Sequence, residues 1–134
     1  MSNPASFVII EGGVATVLRD KYGAFGVLYN FINPNQARDH ALCGMETDWL
    51  DDCAEGGYLV DFDNKVGIVF GAKYESDGTS TDPRSAKIDS AIDNGSDSYL
   101  AHVSSGWPEW TLRWADVDEF EDHVKQNCAT HPLS

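Results

Sequence analysis

The stretch Gly56–Gly71, GGYLVDFDNKVGIVFG, constrains the fold more than any other part of the chain. Two apolar runs, Tyr58–Phe62 and Val66–Phe70, flank Asp63-Asn64-Lys65. Asn and Asp tolerate the positive φ that tight hairpin turns need, so the stretch reads as a β-hairpin. Alternation places Tyr58, Val60, Phe62 and Val69 on one face and Leu59, Val66, Ile68 and Phe70 on the other. Both faces are largely apolar. The hairpin is therefore expected in the middle of a sheet, covered on both sides.

The flanking sequence supplies further strands. Ala5–Ile10 and Val14–Leu18 around Glu11-Gly12-Gly13 predict an opening hairpin. Ala24–Ile32 alternates poorly and reads as an irregular segment or short helix. Asn33-Pro34-Asn35-Gln36 is a helix start, with Asn33 as cap and Pro34 at the first position. That helix runs to about Cys43 and stops at Gly44, with Ala37 and Ala41 inward. Residues 74–98 form a polar insertion. Within it, Asp82 caps a short helix over Arg84–Ile92 whose stripe is Ile88, Ala91 and Ile92, closed by Asn94-Gly95. Tyr99–Val103 and Trp110–Trp114 read as strands, the latter with Trp110, Leu112 and Trp114 on one face. Asp116-Val117-Asp118-Glu119 opens a last helix, Val117–Asn127, with Val117, Phe120 and Val124 inward. The expectation is an α+β domain spanning 1–134, with a mostly antiparallel sheet of about six strands, two or three helices and a tail over 128–134.

Charge is the strongest compositional fact. The net charge is −13, and it is evenly spread: 4 basic against 10 acidic residues in 1–67, and 5 against 12 in 68–134. Such a field repels nucleic acid and anionic membranes and can steer a basic partner; solubility or adaptation to a salty habitat is the competing reading of the same charge. No apolar run approaches the ~20 residues of a membrane span, and MSNPASFVII lacks the basic start of a secretory signal. A cytoplasmic protein is expected. Cys43, Cys53 and Cys128 are odd in number and include no Cys-x-x-Cys, so reduced, mostly buried thiols are the default, with a Cys43–Cys53 pair the alternative for an exported protein.

Catalytic signatures are sparse. There is no Gly-x-Ser-x-Gly and no phosphate-binding loop. Gly12-Gly13 and Gly56-Gly57 read as turn glycines. His40 and Cys43, i and i+3, match no zinc pattern. His123 and His131 read as surface residues. Asp61 and Asp63 lie two apart on one strand, where a hard cation or a hydrolytic site could use them with Glu55 or His102. No cofactor is expected.

Dense carboxylates with aromatics remain. Glu46, Asp48, Asp51, Asp52 and Glu55 surround Trp49, and no Lys or Arg lies between Asp39 and Asn64. Trp49 and Leu50 are expected to tuck under the central hairpin while the carboxylates face water. Trp107, beside Pro108 in a turn, is the expected exposed anchor. The partner-binding residues so assigned are Asp48, Asp51, Asp52, Glu55, Trp107, Asp118, Glu119 and Asp122.

Trp49-Leu50-Asp51-Asp52, Glu55-Gly56-Gly57 leading into Leu59-Val60-Asp61, and Trp107-Pro108-x-Trp110-Thr111-Leu112-Arg113-Trp114-Ala115 together resemble a set of small bacterial proteins. In these an Glu-Gly-Gly turn enters a hydrophobic-Asp hairpin, and a Trp-Pro-x-Trp segment lies near the C-terminus. The likeness spans roughly Gly23 to Val124 and carries over no catalytic residue. In size, acidity and tryptophan content the chain is also similar to immunity proteins, which neutralise secreted bacterial toxins. The leading expectation is an acidic protein-binding domain, an immunity-type inhibitor that occludes a basic protein. The alternatives are a small metal-dependent hydrolase built on Asp61 and Asp63, and an accessory domain without a ligand.

Overall fold

The computed structural model describes residues 3–72 and 83–127, with side chains beyond 86 in the second stretch. The cap Asp82, the loop Glu75–Thr81, Cys128, His131 and the tail expected over 128–134 lie outside the described residues. The strands are β1 (Ala5–Glu11), β2 (Val14–Asp20), β3 (Met45–Thr47), β4 (Gly56–Asp61), β5 (Val66–Phe70) and β6 (Thr111–Trp114). The α-helices are α1 (Val27–Asn30), α2 (Pro34–Ala41), α3 (Pro83–Asp93), α4 (Ser96–Val103) and α5 (Val117–Asn127).

The six strands form one sheet in the order β3-β2-β1-β4-β5-β6. The central hairpin is β4–β5, with Tyr58 opposite Val69 and Leu59 opposite Ile68. Its faces divide as alternation requires. Tyr58, Val60 and Val69, with Phe62 beside them, belong to one apolar cluster. Leu59 and Ile68, with Val66 and Phe70, belong to the other.

The sheet is mixed rather than mostly antiparallel, because β1 pairs in parallel with β4 and β5 in parallel with β6. Parallel neighbours need a crossover. Between β5 and β6, α3 and α4 lie in that connection. This accounts for a second correction: Tyr99–Val103 is helix, not strand. Tyr99 and Val103, four apart, are buried while Ala101 and His102 face out, a helical period in a run too short to show it clearly. With α1 and α4 formed, the described residues hold five α-helices, more than the two or three expected.

Helices α1 to α4 cover one face. Val27, Leu28, Phe31, Ala37, Ala41, Tyr99 and Val103 pack there on Phe7, Tyr58 and Val69. Two buried tyrosines bind helix backbone to this layer: the Tyr58 hydroxyl donates to the Ala37 carbonyl at 2.5 Å, and that of Tyr99 to Leu28 at 2.7 Å. Burial holds both phenols well above their ordinary pKa, so they serve as neutral donors. At α2 the Asn33 side chain accepts from the Gln36 N–H at 2.7 Å, and the helix ends at Ala41, two residues earlier than expected.

The opposite face is covered by α5, through Val117, Phe120 and Val124, and by Leu50 and Ala54 from the β3–β4 connection. Gly57 makes the close packing here possible. It is not a turn residue but a buried member of β4, where a Cβ would stand 2.1 Å from the Ser6 carbonyl oxygen. Turn glycines are found at Gly12 (φ 63°) and Gly13 (φ 76°), the two residues joining β1 to β2.

Candidate functional site

The two acidic stretches, some sixty residues apart in sequence, come to the same side of the sheet. Leu50 and Ala54 share their apolar cluster with α5. Both segments therefore lie on the same side of the sheet, each with carboxylates turned outward.

Asp51 is the residue that anchors the β3–β4 connection. Its backbone N–H donates to Ser6 Oγ at 3.2 Å, its Oδ2 pairs with Arg19 Nε at 3.1 Å, and its Oδ1 accepts the Cys53 N–H at 2.8 Å. It is buried, so the expectation that it faces a partner is corrected: it holds the segment in place. Glu55 stays exposed, and its carboxylate accepts from Asn3 Nδ2 at 2.6 Å. Asp48 and Asp52 are exposed and enter no ion pair among the described residues.

On α5, Asp118, Glu119 and Asp122 point outward while Val117, Phe120 and Val124 point in. The cations on this face are all paired: Arg19 with Asp51, Arg113 with Glu119 at 3.5 Å, and Lys125 with Glu121 at 2.8 Å. The Glu121 carboxylate raises the Lys125 pKa, which keeps that pair charged. Each of these three cations is thus matched by a carboxylate.

The exposed tryptophan is Trp49, not Trp107. Trp107 is buried at 2% exposure, stacked on Phe31 with ring centroids 4.3 Å apart and donating from Nε1 to the Phe31 carbonyl at 3.4 Å. The turn beside Pro108 folds it inward because a site among Phe31, Trp110 and the helices accepts both ring and N–H. Trp49 is 48% exposed and does not tuck under the hairpin; the Arg19 guanidinium lies 5.4 Å from its ring centroid. Its position between Asp48 and the Asp51-Asp52 pair was the available sequence signal.

The hydrolytic constellation is not assembled. Asp61 is fully buried at the end of β4, and its Oδ1 accepts the N–H groups of Asp63 (2.9 Å) and Asn64 (3.0 Å). Its Oδ2 accepts Asn64 Nδ2 and faces His123 Nε2, both at 2.8 Å. The Asp63 carboxylate points elsewhere and accepts the N–H groups of Gly12 (2.9 Å) and Gly13 (2.7 Å). The two carboxylates do not converge; each ties a turn. Glu55 precedes β4 while Asp61 ends it, about 20 Å of strand away. His102 is on α4, in the layer across the sheet from His123. Among the described residues no group of three His, Cys, Asp or Glu is placed to hold a metal ion.

His123, read from sequence as a surface residue, is buried at 7% exposure and locks α5 to the central hairpin. Nothing in the spacing of the sequence links positions 61 and 123. Cys43 and Cys53 are both free and exposed rather than buried. His40 packs on Phe7 and Tyr58 with its Nε2 buried and unpartnered, and desolvation lowers its pKa against an opposing pull from Asp20.

Open grooves are also found among the described residues. One, of about 520 Å3, lies at the β2–β3 edge and is lined by Ala15, Val17, Glu46, Thr47 and Asp48. Another, of about 510 Å3, runs along α3 and α4 past Lys87, Ser90, Asn94, Ser98 and His102.

The fold defines a small α+β domain with a six-stranded mixed sheet and a net charge of −13. No protein-family model matches the chain, and comparison with curated proteins and with solved structures finds no match either. No helix among the described residues is long and apolar enough to cross a membrane.

Proposed function

We propose that the chain is a protein-binding domain whose acidic face receives a basic protein, acting by occlusion as an immunity-type inhibitor does. The observation that carries this reading is the union of Asp48, Asp52, Asp118, Glu119 and Asp122 on one side of the sheet, where Arg19, Arg113 and Lys125 are all paired. A face of one sign raises encounter rates with an opposite surface, and an exposed aromatic supplies the contact that charge alone does not. Trp49 is that aromatic.

The test begins with capture from a native lysate at low salt, followed by association kinetics with the retained protein. The on-rate is expected to fall steeply as salt rises, and to fall again when Asp48, Asp52, Asp118 and Asp122 are together changed to Asn. Trp49→Ala is expected to raise the off-rate instead. An on-rate insensitive to both salt and the four substitutions would overturn the reading.

A further inference from the structure

We propose that the open edge of β2 at Ala15 receives an extended, lysine- or arginine-rich segment of the partner as an added strand. This rests on the binding reading above and names the form in which the partner is held.

Strand β2 has seven residues, Val14 to Asp20, but β3 pairs only with Val17, Leu18 and Arg19. Ala15 lies two residues beyond the last pair. Its main-chain direction follows from β1. The Ile10 carbonyl accepts the Phe62 N–H at 2.8 Å, so the Ile10 main chain faces β4. Ile10 stands opposite Ala15 in the β1–β2 ladder. In an antiparallel ladder such a pair exchanges no hydrogen bonds with each other, and the Ala15 N–H and C=O then point away from β1. Among the described residues, no backbone or side-chain group bonds to them.

The edge opens into the groove of about 520 Å3 whose lining Ala15 shares with Val17, Glu46, Thr47 and Asp48. Ala15 is 6% exposed and shares the groove's lining, so an added strand would have to enter the groove to reach its N–H and C=O. An extended segment supplies what the groove lacks: one donor and one acceptor at strand spacing, with alternate side chains reaching floor and rim. Charge selects the occupant. The rim carries Glu46 and Asp48, and the chain holds no Lys or Arg from 39 to 64. A second copy of this chain, at net charge −13, is repelled. The three-residue β3 is also too short to template edge-to-edge pairing of copies.

The probe is an acetylated, amidated hexapeptide of alternating Lys and Val, followed by amide NMR and hydrogen exchange on the intact protein. Binding is expected to shift the Ala15 amide and slow its exchange. N-methylation of the central peptide residues is expected to weaken binding roughly tenfold, one hydrogen bond's worth. A Glu–Val peptide should not bind. Ala15→Pro removes the outward N–H without touching a β1–β2 bond and should weaken binding by a like factor; the N-methylated peptide makes the same test on unaltered protein. Binding that leaves Ala15 unshifted, or ignores N-methylation, would overturn strand addition while leaving the acidic-face reading in place. No binding of the basic peptide, together with no salt-sensitive partner, would remove both. A salt-stabilised dimer in sedimentation with Ala15 protected would assign the edge to a second copy and overturn the proposal.

Discussion

Replacing Asp61 by alanine is the most informative single change, because one buried carboxylate joins the central hairpin to α5. Four donors meet its two oxygens: the N–H groups of Asp63 and Asn64, Asn64 Nδ2 and His123 Nε2. A carboxylate only accepts, so His123 Nε2 carries the proton. In the alanine variant the two turn N–H groups, partly buried, can recover water, at roughly 0.5–1 kcal/mol each. The His123 donor, at 7% exposure, cannot, which adds about 1–3 kcal/mol. Breaking a buried charged pair costs about 3–5 kcal/mol; here the two turn N–H groups recover water, which places the loss toward the lower end. The expected loss is therefore about 3 kcal/mol. With roughly 2.1 cal/mol/K of unfolding entropy per residue over 134 residues, that is a fall of about 10 °C in Tm. His123→Ala leaves Asp61 three donors and should cost less, about 1–2 kcal/mol. The double variant should show a coupling of about 1–2 kcal/mol in urea melts. An Asp61→Ala melt within about 2 °C of the parent, well inside the 10 °C derived from unfolding entropy, would refute the argument, as would a His123→Ala cost exceeding that of Asp61→Ala.

Asp51→Asn and Asp52→Asn separate scaffold from surface: the first should lose about 1–3 kcal/mol by weakening the Arg19 pair, while the second should leave the melt within about 0.5 kcal/mol and slow association with a basic partner. Gly57→Ala should destabilise severely or fail to fold, since its Cβ would sit 2.1 Å from a main-chain oxygen; Gly13→Ala, at an exposed turn, should fold with a modest loss, and thermal melts compare them. The lowered pKa of His40 means the unfolded chain binds its proton more readily. Stability from this residue is thus present above the ordinary histidine pKa of about 6.5 and declines as pH falls through it. His40→Phe should flatten the melt between pH 7.5 and 5 relative to the parent; parallel profiles would exclude the effect. Trp107→Ala should cost about 3–5 kcal/mol in stability, and at a temperature where it remains folded it should bind a basic partner as the parent does.

What the sequence made legible was local. The β4–β5 hairpin, its two faces and the inward stripe of α5 follow from periods of two and 3.6 residues, and each is found where its period places it. The parallel β1–β4 pairing was not legible, because no local pattern tells Phe7 that its neighbour is Tyr58. The same limit hid the Asp61–His123 bond and left Asp51 looking like any other surface acid. Tyr99–Val103 failed for a different reason: five residues fit either period, and only packing on Leu28 and Trp114 decides between them.

The error at Trp107 bears on how such a face should be recognised. Proximity to proline suggested exposure, yet a turn that brings an indole back over Phe31 buries it as well as any strand does. What surrounds Trp49 is visible only in three dimensions. Asp51 pairs with Arg19 at 3.1 Å, and the same guanidinium lies 5.4 Å from the Trp49 ring centroid. The acid taken from sequence for a partner contact is therefore linked to the exposed indole through Arg19. Neutralising Asp51 should release Arg19 and let Trp49 settle inward, lowering its exposure to a soluble quencher; unchanged tryptophan quenching in Asp51→Asn would show that the indole is held out by something else.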